Sequence, residues 1–163
     1  MTERSGPLVD EAPISGTEAG GGAPRSVLFL CGMNSVRSPM AEQLARRVLP
    51  RSVFVASAGV RRGERDPFVD AVLAEAGMSL GDREPHQFDE LEDAYFDLIV
   101  TLSPQAHHAA LELTRSLAVD VEYWPMPDPT GIAGTREQIL SAYRDLRDRL
   151  DQRIRQRFGA NAG

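Results

Sequence analysis

Short apolar runs of strand composition alternate along this chain with stretches of helical periodicity, leaving little room for hairpins. Val27–Leu30 precedes a helical pattern in Met40, Ala41, Leu44, Ala45, Val48 and Leu49. Ser52–Gly59 reads as a second strand, and Asp66-Pro67 as a helix N-cap with proline in the first turn. Phe68, Val69, Val72 and Leu73 supply that helix's apolar face, and Gly77 stands as its C-terminal stop. Phe96–Leu102 is a nearly continuous apolar run, and Ser103-Pro104 repeats the cap-plus-proline signal. Val119–Trp124 reads as the last strand. Thr135-x-x-Gln138 has the form of a capping box that opens a long helix, with Ile139, Leu140, Tyr143, Leu146, Leu150, Ile154 and Phe158 along one side. Such alternation predicts an α/β domain with a parallel sheet and helices on both faces. Ligands of such folds bind at the carboxyl ends of the strands.

At that place in the first unit stands the chain's single cysteine, Cys31, followed by Gly32-Met33-Asn34-Ser35-Val36-Arg37-Ser38-Pro39. A loop of this length between strand and helix can turn its backbone N–H groups around a tetrahedral anion, with the helix adding its positive end. Arg37 can grip two oxygens with its planar fork. The same positive field favours the thiolate, which is the nucleophilic form of Cys31. A buried structural cysteine is the plain alternative, but the strand, loop and helix-start signal around Cys31 favour an anion site. Asp128, just after the last strand, can reach the same rim.

The 163 residues suffice for one domain, and the net charge of −6 disfavours a nucleic-acid or membrane-surface partner. All eighteen basic residues are arginine, scattered along the chain. One cysteine excludes an intramolecular disulfide or a four-thiolate zinc site and fits a reducing compartment. No apolar stretch has the length of a membrane span or of a signal-peptide core, so a cytoplasmic protein is expected. Residues 1–24 are rich in Gly, Ser, Thr, Pro and Glu and read as a disordered tail; residues 25–163 form the expected domain.

Taken together, Cys31, Asn34, Arg37, Ser38-Pro39, Ser57-Ala58-Gly59, Phe96-Asp97-Leu98-Ile99 and Asp128-Pro129 give a chain that resembles the low-molecular-weight protein tyrosine phosphatases and the arsenate reductases of the same fold. The resemblance spans about residues 25–158. It implies a flavodoxin-like three-layer sandwich on a four-stranded parallel sheet, and a phosphocysteine mechanism without metal or organic cofactor. It further implies that Cys31 attacks phosphorus while Arg37 and the N–H groups of Gly32, Met33, Asn34, Ser35, Val36 and Arg37 hold the equatorial oxygens. By the same resemblance Asn34 locks the loop's turn, Ser38 hydrogen-bonds the thiolate, Ser57 supports the network, and Asp128 serves as general acid and then base. His86 matches a histidine that supports the loop through serines in some relatives.

Departures from the family pattern bear on substrate. Met33 replaces the usual glycine and can narrow the pocket; Val36 replaces a second cysteine found in many relatives. Thr130-Gly131 follows Asp128-Pro129 where the tyrosine phosphatases carry aromatic residues, which is closer to the arsenate reductases. The expected substrate is a phosphorylated protein, with phosphotyrosine foremost, or a small phosphate ester, with phosphate or arsenate as inorganic ligand. The alternative is an arsenate reductase that borrows an external thiol (glutathione, mycothiol or glutaredoxin), because one cysteine cannot run an internal relay. A non-catalytic phosphate-binding module is the third reading, and it needs neither Cys31 nor Asp128. His107 and His108, about 100° apart on a helix, chelate one metal poorly. Tyr123 and Trp124 are candidates for core or rim.

Overall fold

The computed structural model describes residues 24–91, 95–115 and 117–159; the tail assigned to residues 1–24 falls almost wholly outside them. Four strands, β1 (Ser26–Cys31), β2 (Phe54–Gly59), β3 (Leu98–Thr101) and β4 (Asp120–Tyr123), alternate with four helices. These are α1 (Arg37–Val48), α2 (Pro67–Glu75), α3 (Pro104–Leu113) and α4 (Arg136–Ile154). The strands pair in parallel in the order β2-β1-β3-β4. Helices lie on both faces, and the result is a flavodoxin-like α/β sandwich. Strands β2, β3 and β4 are shorter than the apolar runs, because sheet pairing ends where the chain bends into the loops. Among the described residues, no helix is long and apolar enough to cross a membrane.

The period of two along β1 divides the core. Val27, Phe29 and Cys31 face α1, α2 and α4, while Leu28 and Leu30 face Ala106 and Ala110 of α3. Register carries this parity across the sheet: Phe29 lies opposite Ser57 and Cys31 opposite Gly59, so Ser57 and Cys31 share the α1 face. Trp124 is fully buried, edge-on to Phe29 and tilted against Phe158, whereas the adjacent Tyr123 stays half-exposed and stacks on His107. The two aromatics are thus split between core and rim. His107 is spoken for by Thr101 Oγ1, 2.9 Å from its Nδ1.

Local signals set the helix ends. Asp66 and Ser103 accept hydrogen bonds from the N–H of Phe68 and Ala106, each ahead of a proline. Thr135 and Gln138 form a complete capping box. Each cap contributes about 1 kcal/mol. Gly77, just past α2, adopts φ +77°. Helix α4 relaxes into a π-helical turn, Arg155–Gly159, that carries Phe158 into the core beside Trp124.

Helix α2 is fastened to α4 by Glu75, which accepts from Arg144 (Nη2 at 2.8 Å) and Arg147 (Nη1 at 3.0 Å). Hydrogen bonds from Arg144 and then Arg147 pull its pKa from 4.5 down to about 2. A depressed carboxylate pKa adds stability that is complete above the unfolded value and is lost as pH falls through the folded one. Glu75→Gln is therefore expected to lower the melting temperature at pH 7 and to make progressively less difference between pH 4.5 and pH 2. Thermal melts of both proteins across that range check it; a difference that does not change with pH would contradict the pairing.

Candidate active site

Cys31 is the last residue of β1, and the next five residues form the turn into α1. The turn is held by the chain that leaves β2. Val60 N–H donates to the carbonyl of Cys31 (3.0 Å), Arg61 N–H to Gly32 (2.9 Å) and Gly63 N–H to Met33 (2.8 Å). With these carbonyls tied back, the loop can turn its N–H groups toward a common centre. That of Asn34 points at Cys31 Sγ, 3.3 Å away. The approach is close enough that a Cβ on Gly59 would stand 2.5 Å from the Met33 carbonyl carbon and 2.6 Å from Asn34 N. Only glycine fits there, which accounts for the end of the Ser57-Ala58-Gly59 segment.

Asn34 adopts φ +57°, a left-handed conformation that asparagine tolerates better than most residues. Its buried amide is saturated. Oδ1 accepts from His86 N–H (2.7 Å) and Arg83 Nη2 (3.0 Å), and Nδ2 donates to Ser38 Oγ (2.7 Å) and Ser57 Oγ (3.1 Å). Ser38 Oγ lies 2.9 Å from Cys31 Sγ and 3.2 Å from the Ala58 carbonyl. Its hydroxyl can donate to a thiolate, or accept from a thiol while donating to Ala58. The structure thus brings Cys31, Asn34, Ser38 and Ser57 into one buried cluster.

Two further residues complete the cluster. Glu42, one helical turn after Ser38 and only 2% exposed, accepts from the Ser57 hydroxyl through Oε1 and pairs with Arg46 through Oε2 (2.9 Å). Arg83 places Nε 3.1 Å from Glu42 Oε1 and donates through Nη2 to the Ser57 hydroxyl and to the Ser57 carbonyl (3.1 Å). The support expected from His86 therefore takes a different form: His86 gives its backbone N–H to Asn34, and a guanidinium three residues earlier meets the serine. The sequence reading passed over both Arg83 and Glu42. Glu42 had a local signal, an acid on the same helix face as the apolar Ala41 and Ala45; Arg83 had none.

Arg37 opens α1 two residues earlier than a Ser38 cap followed by Pro39 would, and the N-cap, Val36, supplies no side-chain cap. Its Nη1 donates to the Met126 carbonyl at 3.3 Å and its Nη2 lies 3.7 Å from Asp128 Oδ2. Asp128 is thus on the rim, half-exposed, in the bend before a 3-10 turn, Pro129–Gly131. Thr130 donates to its Oδ1 from both N–H (3.0 Å) and hydroxyl (2.8 Å). Partial burial would raise the Asp128 pKa, but Thr130 and Arg37 prevail and hold it below the usual carboxylate range. Met33 is about half exposed at the loop's outer edge, Ser35 sits beside Gly63, and Val36 turns into the core. Among the described residues, no cluster of His, Cys, Asp and Glu is arranged to hold a metal ion.

The family model of low molecular weight phosphotyrosine protein phosphatases matches residues 26–161. An arsenate reductase of Bacillus licheniformis is 30% identical over 133 residues, covering 80% of this chain and 93% of that protein. A glutaredoxin arsenate reductase of Synechocystis sp. is 24% identical over 131 residues, covering 80% and 93%. Among solved structures, the tyrosine phosphatase amsI of Erwinia amylovora superposes with a TM-score of 0.69 at 25% identity, covering 87% of this chain and 95% of that one. Built around a cysteine loop at the end of β1 and matched over nearly all of its described length, the chain belongs to the low molecular weight phosphotyrosine protein phosphatase family.

Proposed function

We propose that the protein hydrolyses phosphomonoesters, with phosphotyrosine in proteins as the favoured substrate class, through a phosphocysteine on Cys31. The observation that carries this reading is the pairing that ties Arg37, at the end of the loop opened by Cys31, to Asp128, with Arg37 Nη2 3.7 Å from the carboxylate. The thiolate of Cys31 attacks phosphorus, the ester P–O bond breaks, and the leaving oxygen takes the proton of Asp128. Arg37 and the loop N–H groups from Gly32 to Arg37 hold the three equatorial oxygens as charge develops. Water then attacks phosphorus, Asp128 takes its proton, and the P–S bond breaks to return the thiolate and release phosphate. Asp128 must enter the first step protonated. A bound dianion engages Arg37 and adds negative charge nearby, and both effects raise the carboxyl pKa from its depressed resting position. No metal or organic cofactor enters this scheme, and a cytoplasmic setting suits a free thiolate.

A second reading is supported by the single cysteine together with the arsenate reductases among the relatives. Arsenate shares the shape and charge of phosphate. In that reaction Cys31 displaces water from arsenic, and an external thiol (glutathione, mycothiol or a glutaredoxin) attacks the Cys31 sulfur. The S–As pair of electrons passes to arsenic, arsenite departs, and a mixed disulfide remains. Phosphate binding alone requires neither Cys31 nor Asp128, which ranks a non-catalytic module last.

Leaving-group dependence tests the proposal. Asp128→Asn is expected to slow hydrolysis of phenyl phosphate by about 100-fold or more, because phenolate needs the proton. It should slow p-nitrophenyl phosphate far less, and it should remove the basic limb of the wild-type pH profile. Equal losses for both esters in kcat/KM, which reports phosphoryl transfer to Cys31 and not the later hydrolysis, would exclude Asp128 as the acid. A wild type that reduces arsenate with an added thiol and hydrolyses neither ester would establish the second reading.

A further inference from the structure

We infer that the buried Glu42–Arg83 pair is a positioning device for the nucleophile: Arg83 fixes the amide of Asn34 and sets a permanent positive charge behind the loop that favours the Cys31 thiolate. The inference rests on Cys31 being the reactive thiolate, whichever oxyanion it attacks. Its basis is the direction of the hydrogen bonds. Arg83 and the His86 N–H together occupy Asn34 Oδ1, which forces Nδ2 toward Ser38 and Ser57. With Ser38 Oγ accepting from Asn34, its one hydrogen is left to choose between the Ala58 carbonyl at 3.2 Å and Cys31 Sγ at 2.9 Å, and a negative sulfur draws it. Donors therefore run one way, from guanidinium to amide to hydroxyl to sulfur, and each bond polarises the next. A cation at the far end strengthens the chain most when the sulfur is negative.

Glu42 explains how a guanidinium can stay there. Arg83 is mostly buried, and burial pushes its pKa down from the ordinary value, while Glu42 raises it, Arg46 lowers it and the sulfur of Cys31 raises it. A guanidinium held behind the loop attracts a negative sulfur through the Asn34 and Ser38 hydrogen bonds. Because arginine keeps its proton at any working pH, this support does not titrate, as an imidazole would. The other charged groups around the site are Arg37 with Asp128 at the mouth and Arg46 behind Glu42; His86 meets the cluster through its backbone N–H to Asn34.

The test is the pH profile of Cys31 alkylation by iodoacetamide in the full chain, with folding of each variant checked by circular dichroism. Arg83→Met is expected to slow alkylation on the acid side about tenfold, because the anionic sulfur loses its supporting charge. Glu42→Gln leaves the guanidinium without its counter-charge, and should shift the profile the opposite way. Arg83→Lys, which keeps the charge, should stay nearer the wild type than Arg83→Met does; with Glu42→Gln it carries the test if Arg83→Met does not fold. A purely structural role predicts that Arg83→Met and Glu42→Gln shift the profile in the same direction or not at all, and either result would overturn the inference. Inorganic phosphate should still slow alkylation in every folded variant, reporting an intact loop. Because alkylation requires no turnover, a protein that hydrolyses no ester leaves this inference standing, and an unshifted profile leaves the proposed reaction standing.

Discussion

Cys31→Ser is expected to abolish turnover, with kcat falling by at least about 10⁴-fold, while the fold and phosphate binding persist. The substitution changes one atom in a site where the sulfur already lies 2.9 Å from the Ser38 hydroxyl, so a hydroxyl can take its place in the same network. It removes the thiolate and nothing else. A serine hydroxyl at this position has no adjacent base: Ser38, Asn34 and Ser57 are all neutral, and Glu42 is already engaged by Ser57, Arg46 and Arg83. A rapid quench of wild-type protein with substrate should recover phosphate covalently bound to Cys31. Near wild-type activity in Cys31→Ser would end the phosphocysteine mechanism.

Arg37→Lys is expected to reduce kcat/KM by about 10²–10³-fold, the usual loss when one main oxyanion donor is removed. The charge survives, but the two-pronged grip does not. Arg37 spans the Met126 carbonyl and Asp128. One fork thus meets the bend that carries Asp128 and, in the proposed reaction, the equatorial oxygens as well. A lysine can satisfy only one such direction at a time. Steady-state kinetics with an aryl phosphate, together with inhibition by inorganic phosphate, check this: both affinity and rate should fall. Kinetics matching the wild type would make Arg37 a structural arginine that holds the Met126–Asp128 segment.

Much of the architecture was legible before any tertiary structure, because it is encoded over short distances. The caps at Asp66, Ser103 and Thr135 act within three residues of themselves, and each forms as read. Alternation along β1 likewise follows from a period of two. The loop from Cys31 to Arg37 could be recognised because its chemistry lies in consecutive residues between one strand and one helix.

Contacts across the sequence were beyond reach. Arg83 meets Asn34 49 residues away and Ser57 26 residues away, and no local periodicity records such a meeting. The sequence pointed instead to His86, which lies in the right segment but contributes its backbone to Asn34. Parity along β1 and β2 places Cys31 and Ser57 on one face, yet it takes the β2-β1-β3-β4 order and the packing of α1 to bring Glu42 over Ser57 and the bend at Asp128 to Arg37. The adjacent Tyr123 and Trp124 divide between rim and core for a similar reason, since only the covering Phe29 and Phe158 decide which ring is buried. Backbone preferences and hydrophobic spacing act between neighbours and are written in the residues themselves. The buried charge pair behind the nucleophile exists only once distant segments are packed together, because desolvation and partner geometry are properties of the folded interior.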